Sequence, residues 1–545
     1  MISKEGALIP QATSNLIKAA KIIDYVLSLG ATDFCLCAGA RNSPFITILD
    51  ENKIHLQSRL QLYHLFDERA AGFFALGCSQ RTQKPVVIIT TSGTAVSELL
   101  SAAVEAYYTK TPLIFITADR PPNYRGTGAP QTIEQIGIFS HYSRPTIDIT
   151  DSLEDIHSFQ WSRDIPLHLN VCFSEPLLEG PIPYINIENI DQKRKMNGFI
   201  IQDSHDYVIE KPQFFSACKH PLFIISGLNS DEKDFVVQQL TPFPGLFWIE
   251  ALSRLRGHPH LESRRIKSGY PFLTYLIENK KFDGIIRIGS VPTTRLWRDL
   301  EDKYKTLPVL SLSENSFSGL ARPSEQRSLT YLKMVNDYYK HSIVQELEVA
   351  KEKDDFFEQE LIKTLASFPN SQLNLVRKLS LLVGEQPLYL GNSLPIREWD
   401  MVAEPILSNA ISGNRGANGI DGQISTFFGW RSQQTHSWAL LGDLTTLYDL
   451  NAPWILSQQA STSWTLAVMN NSGGQIFKPM FKREAFLNRH SINFEYWAKM
   501  WNLSYSITNS LSEPLTPLPQ VLEIVPSEEQ DQKLNLELEQ LWKKL

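Results

Sequence analysis

Short apolar runs, each closed by a polar or glycine-bearing turn, recur along the chain. In the first third they lie at 34–38, 85–90, 112–117 and 166–171, with helical periodicity before and between them, as in 14–29, which stops at Gly30. Runs rich in β-branched residues without alternation predict strands buried on both faces. Strands alternating with helices predict a doubly wound parallel sheet. The segment 126–133 reads as a loop entering another helix. A second set of runs lies at 222–227, 246–250, 284–289 and 308–312, and a third at 387–390, 438–441, 464–469 and 521–525. A charged helix over 533–545 closes the chain. The expected organisation is three α/β domains at 1–185, 186–350 and 351–545. A polar, basic linker lies at 191–198 and a charged connection with a helix at 340–365. No sequence repeat relates the first and third domains.

The stretch 440–477 carries the most pointed chemistry. Leu441-Gly442-Asp443-Leu444 ends one apolar run, and Met469-Asn470-Asn471-Ser472-Gly473-Gly474-Gln475 ends the next. Asp443 and Asn471 are 28 residues apart, about one strand-helix-strand unit. The spacing predicts two turns side by side at the carboxyl edge of one sheet, where open α/β sheets bind ligands. A carboxylate, an amide oxygen and a glycine-flanked carbonyl form an all-oxygen set suited to Mg²⁺ and its phosphate partners. A helix starting after either turn would offer free N–H groups to an anion. The plain reading, an ordinary βαβ unit with Asp and Asn as turn residues, accounts for this stretch equally well.

Composition narrows the function classes. The chain has 545 residues, 42% of them hydrophobic, and a net charge of -7. That charge gives no reason to expect nucleic acid or an anionic membrane as partner. Five scattered cysteines form no C-x-x-C pair, which argues against a zinc site or a disulfide framework. No leader-like apolar segment and no 18-residue apolar run is present, so a cytoplasmic enzyme is the expectation. The second domain lacks a G-x-G-x-x-G fingerprint, so dinucleotide binding is not supported.

Further candidates stand at strand ends. Arg41 follows the first run in Gly39-Ala40-Arg41-Asn42-Ser43-Pro44, and Arg120 follows the third in Ala118-Asp119-Arg120-Pro121-Pro122. Arg295 follows the Gly289-Ser290 turn. Glu68 opens a helix rich in small residues (Phe66-Asp67-Glu68-Arg69-Ala70-Ala71-Gly72); alone, it reads as a helix-start carboxylate favoured by the dipole. His168 and Asn170 read as structural.

Taken in order, Gly-Ala-Arg-Asn-Ser-Pro, Phe-Asp-Glu-Arg-Ala-Ala-Gly, Thr-Ser-Gly-Thr-Ala-Val, Thr-Ala-Asp-Arg-Pro-Pro, Gly-Asn-Ser-Leu, Asn-Arg-Gly-Ala, Gly-Ile-Asp-Gly, Gly-Asp-Leu and Gly-Gly-Gln-Ile-Phe closely resemble the 2-succinyl-5-enolpyruvyl-6-hydroxy-3-cyclohexene-1-carboxylate synthase (MenD) family of thiamine diphosphate enzymes. The match covers most of 30–180 and 385–480. The resemblance implies three doubly wound parallel-sheet domains of the thiamine diphosphate-dependent decarboxylase type: pyrimidine-binding, central and diphosphate-binding. It implies Glu68 as the cofactor-activating acid and Asp443, Asn471 and the Gly473 carbonyl as ligands of Mg²⁺ or Mn²⁺. Asn392, Ser393, Ile420, Gly442, Leu444, Gly474 and Ile476 join them around the cofactor. Arg41, Arg120, Gln131, Arg295, Ser393, Arg397, Arg415, Ile476 and Phe477 would line the substrate site.

The implied substrates are 2-oxoglutarate and isochorismate, both dicarboxylates, for which guanidiniums are apt bidentate receptors. The implied activity is that of a transferase in menaquinone synthesis, working as a homodimer or homotetramer with active sites between subunits. Ala40, Pro130 and Thr294 depart from residues common in the family. The competing readings are another thiamine diphosphate decarboxylase or carboligase, and a binding protein on an inactivated fold. Loss of Glu68, Asp443 or Asn471 would mark the latter, and all three are present.

Overall fold

The structure is a computed structural model that describes residues 14–56, 59–150, 156, 159–185, 213–339, 345–407, 410–481, 483–511 and 517–545. The expected linker at 191–198 lies outside them. Three parallel sheets carry the described strands. The first contains β1 (Asp33–Cys37), β2 (Gln61–Leu65), β3 (Val86–Thr90), β4 (Leu113–Asp119), β5 (Ile147–Ile149) and β6 (Leu167–Cys172), in the order β2-β1-β3-β4-β6-β5. The second contains β7 (Pro221–Ile225), β8 (Phe247–Ile249), β9 (Gly284–Ile288), β10 (Val309–Leu312) and β11 (Glu325–Arg327), in the order β11-β10-β9-β7-β8. The third contains β12 (Leu388–Leu390), β13 (Ile411–Ser412), β14 (Ser437–Gly442), β15 (Trp464–Met469), β16 (Tyr505–Thr508) and β17 (Val521–Ile524), in the order β13-β12-β14-β15-β17-β16.

Numbered within each sheet, the first and third share one order, 2-1-3-4-6-5. A repeat invisible in the residues is therefore present in the topology. The inner strands β1, β3, β4, β6, β14 and β15 are buried over nearly their whole length, as their unbroken apolar runs require. In each of these two sheets the strand order reverses between the first and third strands, which opens a crevice at their carboxyl ends.

The chain divides into two compact units. One comprises the described parts of Met1–Ser204 with Asn414–Arg431 and Tyr448–Ser461; it holds the first sheet. Within it the helix Glu68–Thr82 meets the helix Gln423–Trp430 with almost no space between backbones. A Cβ on Gly77 would lie 2.0 Å from the Thr426 oxygen, and one on Gly429 would lie 2.1 Å from the Phe74 oxygen. The small residues that marked this helix in the sequence serve that close packing. The other unit holds the second and third sheets. Its helix Gln345–Ala366 matches the charged segment expected there.

One expected element is absent. No helix follows Gln131–Ile133; the segment reaches only a three-residue 3₁₀ turn, Ser140–Tyr142. The Gln135 side chain takes over the local hydrogen bonding, accepting the Gly93 N–H at 3.0 Å and donating to Asn170 Oδ1 at 2.7 Å. Gln131 itself holds a left-handed φ of 55°, which a helix cannot continue through.

Candidate active site

In the second unit, β14 and β15 run side by side with Gly442 opposite Met469, so the two turns of the 440–477 stretch are neighbours as expected. Asp443 is the first residue of the six-residue helix Asp443–Tyr448. Its Oδ1 accepts the Leu444 N–H at 2.6 Å and its Oδ2 accepts the Gly473 N–H at 2.9 Å. The second turn enters no α-helix. It passes into the 3₁₀ turn Gln475–Phe477, which carries Ile476 and the partly exposed Phe477. Gly473 has φ 126°, and a Cβ there would stand 2.3 Å from the Leu487 oxygen. Only glycine fits. Gly474 N–H donates to the same carbonyl at 2.5 Å, so 473–474 are strapped to the segment after them.

The adjacent asparagines divide the work. Asn470 is buried and donates to the Ile492 carbonyl and to Glu523, which holds the turn. Asn471 donates only its Nδ2, to Gln372 Oε1 at 2.9 Å. His490 Nε2 lies 3.3 Å from Asp443 Oδ2, and His490 Nδ1 accepts the Ile492 N–H. Burial pushes the Asp443 carboxyl above its ordinary range, while the Gly473 and Leu444 N–H groups and His490 oppose that shift. A buried carboxylate beside an amide and a glycine-lined turn fits a hard divalent cation, which would relieve the burial cost.

On the same sheet Ser393 occupies a left-handed φ of 73° at the end of β12, next to buried Asn392. Its carbonyl accepts from Arg397 Nη1 at 2.5 Å. Arg295 opens the helix Arg295–Asp302, with Nε 3.5 Å from Asp299. The turn before it is clamped by two buried acids. Glu250 accepts the Thr293 and Thr294 N–H groups at 2.7 and 2.9 Å, and Asp400 accepts the Thr293 hydroxyl at 2.6 Å. Asp400 lies on the helix Leu394–Val402, which also carries Arg397, so the two guanidiniums share one anchor.

The first unit holds the remaining candidates. Glu68 begins its helix behind the N-cap Asp67, whose side chain accepts the Ala70 N–H at 2.9 Å and a bond from Asn451. Arg69 reaches the buried Asp449 at 3.4 Å, which fixes the other side of the corner. Burial raises the Glu68 carboxyl above its ordinary value, and Asp67 and Glu98 add to the rise. A carboxyl raised in this way holds its proton more readily than a solvated one.

The turns after β1 and β3 touch: a Cβ on Gly39 would fall 2.6 Å from the Thr91 Cβ. Arg41, in the first of these, donates to the Phe173 carbonyl at 3.1 Å and pairs with exposed Glu175 at 3.0 Å. Gly93, in the second, has φ 88° and lies against Gln131. The hydroxyls of Thr90, Thr91 and Ser92 are buried there without a hydrogen-bond partner among the described residues. Buried orphan hydroxyls in a crevice suit a polar ligand. Arg120 and Gln131 bracket Arg125, which binds Asp148 through two bonds of 2.9 and 2.8 Å and so pins their loop. Arg415 and Ile420 ride on the glycine-rich loop 414–422. Fully buried Glu105 holds that loop, accepting the Gly416 and Ala417 N–H groups at 2.7 Å each.

His168 sits between the Thr117 and Thr146 hydroxyls at 2.8 and 2.9 Å, with its pKa pushed down by burial to about 3. It is neutral and structural, as its strand position suggested. Sequence reasoning missed Gln372, His490, Glu105, Glu250 and Asp400. Each is far in sequence from what it holds, and no local motif marks it.

Comparison with known proteins places this geometry in context. Residues 18–138 match the family described as thiamine pyrophosphate enzyme, N-terminal TPP binding domain. The chain is 44% identical over 538 residues to the 2-succinyl-5-enolpyruvyl-6-hydroxy-3-cyclohexene-1-carboxylate synthase of Bdellovibrio bacteriovorus, covering 97% of this chain and 100% of that protein. It is 34% identical to the synthase of the same name from Akkermansia muciniphila, over 93% of this chain and 96% of the other. A Shewanella baltica synthase of that name is 28% identical over 92% of each chain.

Proposed function

Because the chain belongs to the 2-succinyl-5-enolpyruvyl-6-hydroxy-3-cyclohexene-1-carboxylate synthase family of thiamine diphosphate enzymes, we propose that it decarboxylates 2-oxoglutarate and adds the resulting four-carbon succinyl unit to isochorismate in a conjugate fashion. The products are carbon dioxide and the cyclohexene carboxylate of the family name, a step toward menaquinone. The observation that carries this reading is the 44% identity to a synthase of that name, over 97% of this chain and 100% of that protein.

Thiamine diphosphate, when bound, supplies the electron sink that lets a 2-oxo acid lose carbon dioxide and then act as a nucleophile. The residues around it have separable tasks. Glu68, its carboxyl raised by burial, would hold a proton at the aminopyrimidine N1′. Asp443, Asn471 and the Gly473 carbonyl would hold Mg²⁺ or Mn²⁺ against the diphosphate, with Asn392, Gly442, Leu444, Gly474 and Ile476 beside it. Arg41, Arg120, Arg295, Arg397 and Arg415, with Gln131 and Ser393, would bind and orient the carboxylates of the two substrates. Ile420 would support the cofactor, and Phe477 would line the substrate site. We also propose the cytoplasm as the place of action and a homodimer or homotetramer as the working form, with sites between subunits. No helix among the described residues is long and apolar enough to cross a membrane.

Mass spectrometry of the reaction tests this. The expected product is one adduct of the acceptor and a four-carbon unit per carbon dioxide released. Carbon dioxide without adduct would replace the reading with a plain 2-oxo acid decarboxylase.

A further inference from the structure

We propose that Glu398 and Gln372 form a polarity relay that turns the Asn471 amide so that its oxygen, and not its nitrogen, is presented to the cation. The proposal rests on the reading of Asn471 as a metal ligand and names the residues that make it one.

An asparagine side chain is ambiguous as a ligand. A half-turn of its amide exchanges an oxygen that can bind a cation for an NH₂ that cannot. Something must set the orientation before metal arrives. Asn471 Nδ2 donates to Gln372 Oε1 at 2.9 Å, which commits the nitrogen to the protein side. Asn471 Oδ1 accepts no hydrogen bond among the described residues.

Gln372 is ambiguous in the same way, so it could orient Asn471 only if it were itself fixed. Glu398 fixes it. Gln372 Nε2 lies 2.7 and 2.8 Å from the two Glu398 oxygens. On the alkaline side of its titration Glu398 is ionised and has only acceptors, so there the Gln372 nitrogen must face it and the Gln372 oxygen must face Asn471. The backbone holds the relay in place: Gln372 opens the helix Gln372–Val383, and its main-chain N–H donates to Asp531 at 2.7 Å. Glu398 comes from the helix Leu394–Val402. One acceptor-only group thus sets the direction of two amides in series.

The relay also explains why an amide serves here rather than a second carboxylate. A carboxylate at 471 would aim a lone pair at Gln372 Oε1, and Glu398 would prevent Gln372 from turning round to donate. Partners of metal ligands typically account for about 10–100-fold in metal affinity.

The test is Mn²⁺ binding with thiamine diphosphate present, the free ion being counted by electron paramagnetic resonance on the alkaline side of the Glu398 titration. Gln372→Ala is expected to bind Mn²⁺ about 10–100-fold more weakly than wild type. Asn471→Asp is expected to bind more weakly despite its added charge. The pair Asn471→Asp with Glu398→Gln is expected to recover part of that loss, because a neutral amide at 398 lets Gln372 turn and donate to the new carboxylate. Wild-type affinity in Gln372→Ala overturns the proposal, as does a double variant that binds no better than Asn471→Asp. Should Gln372→Ala fail to fold, the comparison of Asn471→Asp with the double variant decides alone. Unchanged affinity in Asn471→Ala would instead overturn the metal-ligand reading, and the relay with it.

Discussion

Asp443 and Gly473 are joined by a 2.9 Å hydrogen bond across the carboxyl ends of two neighbouring parallel strands. The bond runs from a backbone N–H that only glycine can present in this conformation, since a Cβ at 473 would collide with the Leu487 oxygen. Gly473→Ala is therefore expected to cost about 1–3 kcal/mol through strain at a positive φ, with further loss from the clash. Chemical denaturation would measure it. The same variant should bind Mn²⁺ more weakly, because the turn can relax only by moving away from Asp443. Unchanged stability and metal affinity would remove the strap from the account.

Glu68→Gln should still bind thiamine diphosphate and lose turnover by about 10²–10⁴-fold, the usual range for a positioned acid or base. Cofactor titration followed by fluorescence quenching, together with kcat, separates the two effects. Near wild-type turnover would mean that another group holds the proton.

Glu105 reaches across to the loop that carries Arg415 and Ile420. Glu105→Ala removes the acceptors of the Gly416 and Ala417 N–H groups, at a cost of about 0.5–1.5 kcal/mol for each hydrogen bond lost. A lower denaturation midpoint is expected, together with a raised KM, since the loop is no longer held. Glu105→Gln keeps one acceptor and should fall between wild type and Glu105→Ala in both. A stability loss with unchanged KM would limit Glu105 to the fold.

Burial pushes Glu398 up to about 8, and Asp531 adds to the rise while the Gln372 bond opposes it. Two consequences follow, of opposite sign. The folded protein without metal holds the Glu398 proton more tightly than the unfolded chain, so this group's contribution to stability falls as pH rises from the ordinary carboxylate range to about 8. Metal binding favours the ionised form through the relay, so Mn²⁺ affinity should rise as pH passes through about 8. Asp443, its carboxyl raised by burial, contributes its own slope. The difference between wild type and Glu398→Gln isolates the Glu398 part; parallel pH profiles in the two proteins would contradict it.

What the sequence revealed tracks how strands are buried. Inner strands such as Val86–Thr90 and Trp464–Met469 announce themselves as unbroken apolar runs because both faces are covered. The strands that escaped notice, Gln61–Leu65, Ile147–Ile149, Glu325–Arg327, Ile411–Ser412 and Tyr505–Thr508, all stand at sheet edges. They are short or half exposed, and Glu325-Gln326-Arg327 has no apolar residue at all. The shared strand order of the first and third sheets was equally hidden, since topology constrains burial and not residue identity.

As candidates, the residues in local turns were legible: Glu68, Asp443, Asn471, Gly473 and the strand-end arginines. The residues that orient them were not. Gln372 precedes Asn471 by 99 positions and acts through a single hydrogen bond. Glu105, Glu250 and Asp400 look like ordinary helix or strand-end acids until the backbone N–H groups they accept from are seen.

The most direct test of the central claim follows isochorismate by its ultraviolet absorbance, with thiamine diphosphate, Mg²⁺ and 2-oxoglutarate each omitted in turn. Loss of absorbance is expected only when all three are present. Consumption of isochorismate without 2-oxoglutarate, or none in the complete mixture, would contradict it.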